Sequence, residues 1–332
     1  MSSQSLSVPH VAETRTPLRK AWALSPLLTL TVLMSIVALP VVIAAALIDP
    51  VQITGVNGWI KPAKFLISIA LYCGTLLWML SFVQRRRRWI GILGGLVGVV
   101  FLGEMVIIVL QIMRGTTSHF NNSTPFDTAL FNVMGALIST LALLNLVVGI
   151  WLLRARVGEP VLAAGLRWGI WIALAGMLLA FLMTVPTSAQ QAAMAAGEQQ
   201  PILGAHSVGV ADGGPGLPLV GWSTVGGDLR VPHFVGLHAM QIMPLLAWLF
   251  LRPAAVRRWG TRQRVRMMHV AGVGYAGLVA LLTWQALRGQ PLLAPDGLTL
   301  VAAFTWLGLL AAAGVLALRQ QGPPIGVHAT GD

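Results

Sequence analysis

A chain of 332 residues that is 56% apolar and only 10% charged cannot clothe a water-soluble surface, which draws roughly a quarter of its residues from the charged types. Its net charge of +12 sits in short connections with no aromatic-interleaved basic domain, which argues against nucleic acid as a partner. The single cysteine, Cys73, excludes an intrachain disulfide and a cysteine-based metal cluster.

The apolar residues fall in runs of the length needed to cross a hydrocarbon layer about 30 Å thick. Eight are expected, near residues 24–48, 64–83, 89–113, 128–153, 163–185, 232–251, 265–287 and 297–318. Short alternating strands are absent, and helices satisfy every backbone group inside lipid. The expected fold is therefore an all-α polytopic membrane bundle of eight transmembrane helices. Residues 1–20 read as a disordered cytoplasmic tail, 21–320 as the helical domain and 321–332 as a second cytoplasmic tail. The first apolar run is too long for a signal core and reads as an anchor.

Charge fixes the expected orientation. With both termini inside, 17 of the 22 basic residues lie on the cytoplasmic side, among them Arg85 to Arg88 and the loop from Arg252 to Arg266. The opposite side keeps Lys61, Lys64, Arg114, Arg230 and Arg288 against six acids, a positive-inside pattern. The arginine-rich loops could also hold anionic lipid headgroups, each basic residue contributing about 1 kcal/mol.

On the third span Gly91, Gly94, Gly95 and Gly98 form two overlapped small-xxx-small pairs, which predict close helix packing. Further along that span stands Glu104, close to mid-bilayer, where a carboxylate is functional by default. Gln111 is on the same face and Arg114 at the helix end. The segment from Arg114 to Asp127 is dense in polar side chains, and Asp127 is placed to cap the fourth span. His119 within it reads as a solvated loop histidine or, turned inward, a ligand.

The connection 186–231 differs from the others. Its first part, Gln190 to Gln200, could form a short surface helix; its second contains Gly213-Gly214-Pro215-Gly216-Leu217-Pro218, which no helix tolerates. It could fold back over the helix ends as a lid. Asp228, Arg230, His233, His238 and Gln241 follow, the densest polar cluster in the chain. The spacing from His233 to His238 turns the two rings about 140° apart, which disfavours one metal held by both. His238 and Gln241 share a face, and Pro244 leaves a carbonyl of that helix without its usual partner. No internal repeat is evident by eye, and five spans before the long loop with three after it do not suggest equal halves, as an inverted-repeat transporter would.

The segments Trp59 to Phe65, Arg114 to Asn121 with Thr124 to Asp127, and Asp228 to Arg230 through His238 to Gln241 resemble those of a family of bacterial multi-spanning membrane proteins with no established activity. The resemblance covers most of the chain. It implies a bacterial cytoplasmic membrane and nothing about mechanism.

Lys61, Lys64, Arg114, His119, Asp228, Arg230, His233 and His238 are expected to converge near the outer face. Three functions would use them. In the first, His238 with His119 or His233 holds haem or a metal ion, and Glu104 relays protons. In the second, a carrier or receptor draws a small anionic solute with Lys61, Lys64, Arg114 and Arg230, together with Gln111, Asp228 and Gln241, while Glu104 couples binding to a proton. The third is an intramembrane zinc hydrolase using His119, His233 and Asp228 on the metal, with Glu104 as base. A scaffold or assembly factor with packed polar residues is the non-enzymatic alternative. Oligomeric state and substrate are not legible.

Overall fold

The computed structural model describes residues 16–83 and 86–319. A short amphipathic helix, α1 (Pro17–Leu24), leads into α2 (Pro26–Ile48). A hairpin of β1 (Gln52–Ile53) and β2 (Val56–Asn57) precedes α3 (Ile60–Leu80), followed by α4 (Arg87–Met113), α5 (Pro125–Arg154) and α6 (Pro160–Met183). The long connection holds α7 (Ser188–Ala195), β3 (Ser207–Val208) and β4 (Gly227–Asp228). The chain closes with α8 (Arg230–Phe250), α9 (Pro253–Arg258), α10 (Thr261–Leu287) and α11 (Gly297–Arg319).

Eight helices among the described residues are long and apolar enough to cross a membrane: α2, α3, α4, α5, α6, α8, α10 and α11. The protein is a multi-pass membrane protein with an all-α fold, as the apolar runs predict. Apolar side chains such as Val37, Val41 and Leu47 on α2, and Val301 and Phe304 on α11, face outward, as lipid requires of a solvent with no polar groups to offer. The predicted glycine packing is present: Gly94 and Gly98 of α4 lie against Ser25 and Thr31 at the start of α2. A contact of backbone against backbone was not expected from the sequence. Gly165, Gly169 and Gly176 run along α6, and a Cβ on Gly176 would stand 2.7 Å from the backbone of Gly236 in α8.

The helices group as four and four, not as the five and three that the long loop suggests. α2, α3 and α4 pack on one another and α5 joins through α4 while packing as closely on α6; α6, α8 and α10 pack on one another and α11 joins through α10. The groups meet along α5 with α6, and α3 with α8.

The connections 49–59, 114–124, 184–229 and 288–296 gather on one end of the bundle, called here the cap face. The long one is a folded cap. Thr187 and Gln190 form a capping box on α7, and the Gln190 amide also receives the Gly204 N–H and donates to the carbonyls of Ile202 and Gly204. Asn121 bridges to Ile202, and β3 pairs antiparallel with β4, Ser207 opposite Asp228. Gly227 presses on the Ala286 carbonyl at the end of α10, so only a residue without a side chain fits there. The 213–218 stretch carries no helix, as its glycines and prolines predict.

Candidate functional site

Helix starts place the first cation deeper than the sequence suggests. The second span begins at Ile60 and not near residue 64, because the β1–β2 hairpin hands over directly to α3, with Asn57 Oδ1 receiving the Trp59 N–H. Lys61 therefore sits in the first turn of a membrane-crossing helix. Its ammonium donates to Ser118 Oγ at 2.7 Å and approaches His119 Nδ1 at 3.1 Å. Since an ammonium only donates, Nδ1 of His119 accepts and Nε2 carries the ring proton.

His119 is thus turned inward. The Phe65, Phe120 and Phe131 rings surround it, their centroids at 6.2, 6.2 and 6.5 Å. Burial first, then the charge on Lys61 and the nearby imidazoles of His206 and His233, hold its pKa well below the ordinary histidine value. A neutral imidazole is the form that can accept from Lys61.

His206 lies in the cap, its ring 4.9 Å from that of Phe120. Its Nδ1 is 2.8 Å from Asp212, whose carboxylate also receives the backbone N–H groups of His206 and Ser207. Burial lowers the His206 pKa more than Asp212 raises it. Asp212 itself resists burial: its bonds from His206 and Ser207 keep it below the usual carboxylate range. His233, in the first turn of α8, has Nδ1 2.7 Å from the Gly176 carbonyl. That carbonyl can only accept, so Nδ1 donates and Nε2 of His233 is left with its lone pair.

Lys64 reaches across to the Val220 carbonyl at 3.4 Å, and Arg230 donates to the Gly221 carbonyl at 2.6 Å. The cap segment around Val220 therefore touches both cations, with Lys64 remaining exposed. Glu104 lies below, only 1% exposed, and neither carboxylate oxygen has a hydrogen-bond partner. Lys61 is the charged group whose field acts on it.

Lys61, Lys64, Arg230, His119 and His233 do converge as the sequence suggests, with Glu104 beneath. The rest of the predicted set is elsewhere or otherwise occupied. Arg114 and Gln111 both turn on Asp127, Gln111 Nε2 at 2.8 Å and Arg114 in an ion pair. Asp127 is not the helix cap. Thr124 is, its Oγ1 accepting from the Asp127 N–H at 3.1 Å and donating to Oδ2 at 2.6 Å, because Pro125 starts the helix one turn before the predicted boundary. Asp228 is closed by Arg230, at 2.9 and 2.6 Å, and by the Ser223 N–H. His238 is exposed and touches Gln241 at 3.4 Å; Gln241 in turn donates to Thr75 of α3 at 3.1 Å. It stands apart from the cap-face histidines, as the angular spacing predicts.

The sequence shows His206 and Ser118 within polar stretches but does not mark either as a site residue. His206 is remote in sequence from Phe120, against which it packs, and only its short spacing to Asp212 offered a signal. The predicted haem or metal arrangement loses its leading ligand with His238 placed apart, and among the described residues no group of three or more His, Cys, Asp or Glu side chains is positioned to hold a metal ion. No family model, curated protein or solved structure matches the chain.

Proposed function

We propose that this protein binds a small anionic solute at the cap face, as a proton-coupled carrier or receptor of a bacterial cytoplasmic membrane, with the cap outward and both termini inside. One observation carries the reading. The arginines of the cap face are each closed on an aspartate, Arg114 on Asp127, Arg230 on Asp228 and Arg288 on Asp296, whereas neither Lys61 nor Lys64 has a carboxylate within ion-pair distance among the described residues. Lys61 is held out of water with no carboxylate in contact, which costs several kcal/mol, and an anion bound on it lowers that cost.

The proton coupling follows from charge balance. Without ligand, Lys61 as ammonium and Glu104 as carboxylate sum to zero. An anion on Lys61 restores neutrality only if Glu104 takes a proton, so anion and proton bind together. The imidazoles act in the same sense: His206 and His233 each have Nε2 free to take a second proton and become donors to the anion. His119 already presents its Nε2 proton. The arginines on the opposite face support the orientation through the positive-inside pattern, and they also suit anionic lipid headgroups.

The test is titration of the purified protein in detergent with sulfate, phosphate and succinate, followed by calorimetry in buffers of different ionisation enthalpy. At least one of these anions binds, with proton uptake and higher affinity at pH 6 than at pH 8. Lys61→Ala weakens binding at least tenfold, and Glu104→Gln removes most of the pH dependence. If none of the three binds, or if Lys61→Ala binds as the parent does, the reading is wrong.

A further inference from the structure

We infer that the chain is a tandem duplication of one four-helix unit, and that the anion site lies in the joint between the copies. The first copy is α2, β1–β2, α3, α4 and α5; the second is α6, β3–β4, α8, α10 and α11. The packing scheme is the same in both, three helices in mutual contact with the fourth attached through the third. In both, a two-stranded antiparallel pair lies between the first and second helices, closed by a tight turn in the first copy and by residues 209–226 in the second.

Detailed correspondences make chance convergence a poor explanation. α3 and α8 are each 21 residues long, with Pro62 and Pro232 at the third position. Their buried faces share a stripe: Leu66, Ile69, Cys73 and Leu77 match Gly236, Ala239, Met243 and Ala247. α4 and α10 are each 27 residues long. They end in Gln111-Ile112-Met113-Arg114-Gly115 and Gln285-Ala286-Leu287-Arg288-Gly289. The two glycines have φ of +69° and +73°, and the residue after each donates its N–H to the glutamine carbonyl. Gly58, just after the first strand pair, lies near Ile112, and Gly227, in the second, presses on Ala286; Ile112 and Ala286 are matching positions on α4 and α10.

The arginine clamps repeat in exchanged form. In the first copy the fourth helix has Thr124 as its cap and Asp127 three residues on, and Arg114 binds Asp127. In the second, Asp296 accepts from the Thr299 N–H at 2.8 Å, and Arg288 binds both Asp296 and Thr299. The same Thr and Asp pair occupies the two positions in opposite order.

Both copies run in the same direction, each beginning on the arginine-rich side. Parallel repeats of this kind place substrate sites at the interface between repeats. The site obeys that rule, with Lys61, Ser118 and His119 from the first copy and His206 and His233 from the second. The equivalents of Lys61, Lys64 and Glu104 are Val231, Phe234 and Leu278, so the second copy has no cation site of its own and the chain holds one. This placement rests on the anion-binding reading; the duplication does not.

The duplication is tested by exchanging the clamp. Asp127→Thr alone removes the partner of Arg114 and lowers the melting temperature by about 5 °C. Thr124→Asp with Asp127→Thr reproduces the second copy's order in the first and recovers at least half of that loss. A double variant as unstable as the single one overturns the equivalence of the copies. The joint is tested separately with whichever of sulfate, phosphate or succinate binds the parent. His233→Ala and Lys61→Ala both weaken it, and weakening by Lys61→Ala alone would assign the site to the first copy. Absence of binding by all three anions overturns the placement through the reading it rests on, and leaves the clamp exchange to decide the duplication.

Discussion

Two buried polar residues within the same membrane bundle answer opposite questions. Asn145, 1% exposed, receives the Tyr72 hydroxyl at 2.6 Å and donates to the Leu141 carbonyl at 2.8 Å. It is a packing residue, so Asn145→Leu leaves the Tyr72 hydroxyl unpaired and costs about 1–3 kcal/mol. Glu104 has no such partner, and Glu104→Leu therefore causes no loss of thermal stability while abolishing proton uptake on anion binding. Melting curves of the two variants side by side separate these cases; a Glu104→Leu protein as unstable as Asn145→Leu would make Glu104 a structural residue. The cap histidines add a pH dependence whose sign is fixed by their burial. His119 and His206 both have folded pKa values below the ordinary one. Below about pH 6.5 the unfolded chain takes up protons that the folded chain refuses. Stability is therefore full above that pH and falls as the pH drops toward 5. Asp212 works in the same direction, its contribution lost only in stronger acid, through the ordinary carboxylate range and below. Melting temperatures at pH 8, 6.5 and 5 show the decline, and His119→Gln makes it shallower.

At the scale of elements, the closest approach of one helix backbone to another at a glycine is the crossing of α6 and α8 at Gly176 and Gly236. A methyl group on Gly176 must displace backbone, not a flexible side chain, so Gly176→Ala costs about 1–3 kcal/mol, read as a fall in melting temperature. In the cap, the Gln190 side chain makes four hydrogen bonds that fasten α7 to Thr187, Ile202 and Gly204. Gln190→Ala frees this end of the cap, and limited proteolysis within 188–205 becomes faster while the helices stay resistant. These elements differ in how much of them the sequence disclosed. Runs of twenty apolar residues announce a membrane helix by length alone, so all eight spans were legible to within a few residues. The stripe on α4 was legible because its glycines crowd within eight positions, whereas Gly165, Gly169 and Gly176 on α6 are spread over three turns and stand out only once α8 lies across them. The cap's hydrogen bonds join residues many positions apart, which no local pattern encodes.

For the whole molecule, the repeated Gln-x-x-Arg-Gly at 111–115 and 285–289 was present in the sequence, yet the connections that follow the first helix of each copy differ so much in length that the register between copies is lost to the eye. Helix lengths and packing restored it. What the bundle needs next is a direction across the bilayer. Its two ends differ sharply: one holds Arg252, Arg257, Arg258, Arg262 and Arg319, while the other holds the folded cap with acids and bases nearly in balance. Moving a large, ordered cap across a membrane while leaving the arginines behind is what the positive-inside rule describes. Single cysteines introduced at Asn122 or Gly213 in a Cys73→Ala background should react with a membrane-impermeant maleimide added to intact cells. Cysteines at Arg258 or Gly260 should react only after the membrane is opened. The reverse pattern would turn the cap to the cytosol, and the lysine pair, with Glu104 below it, would then meet solutes from the inside.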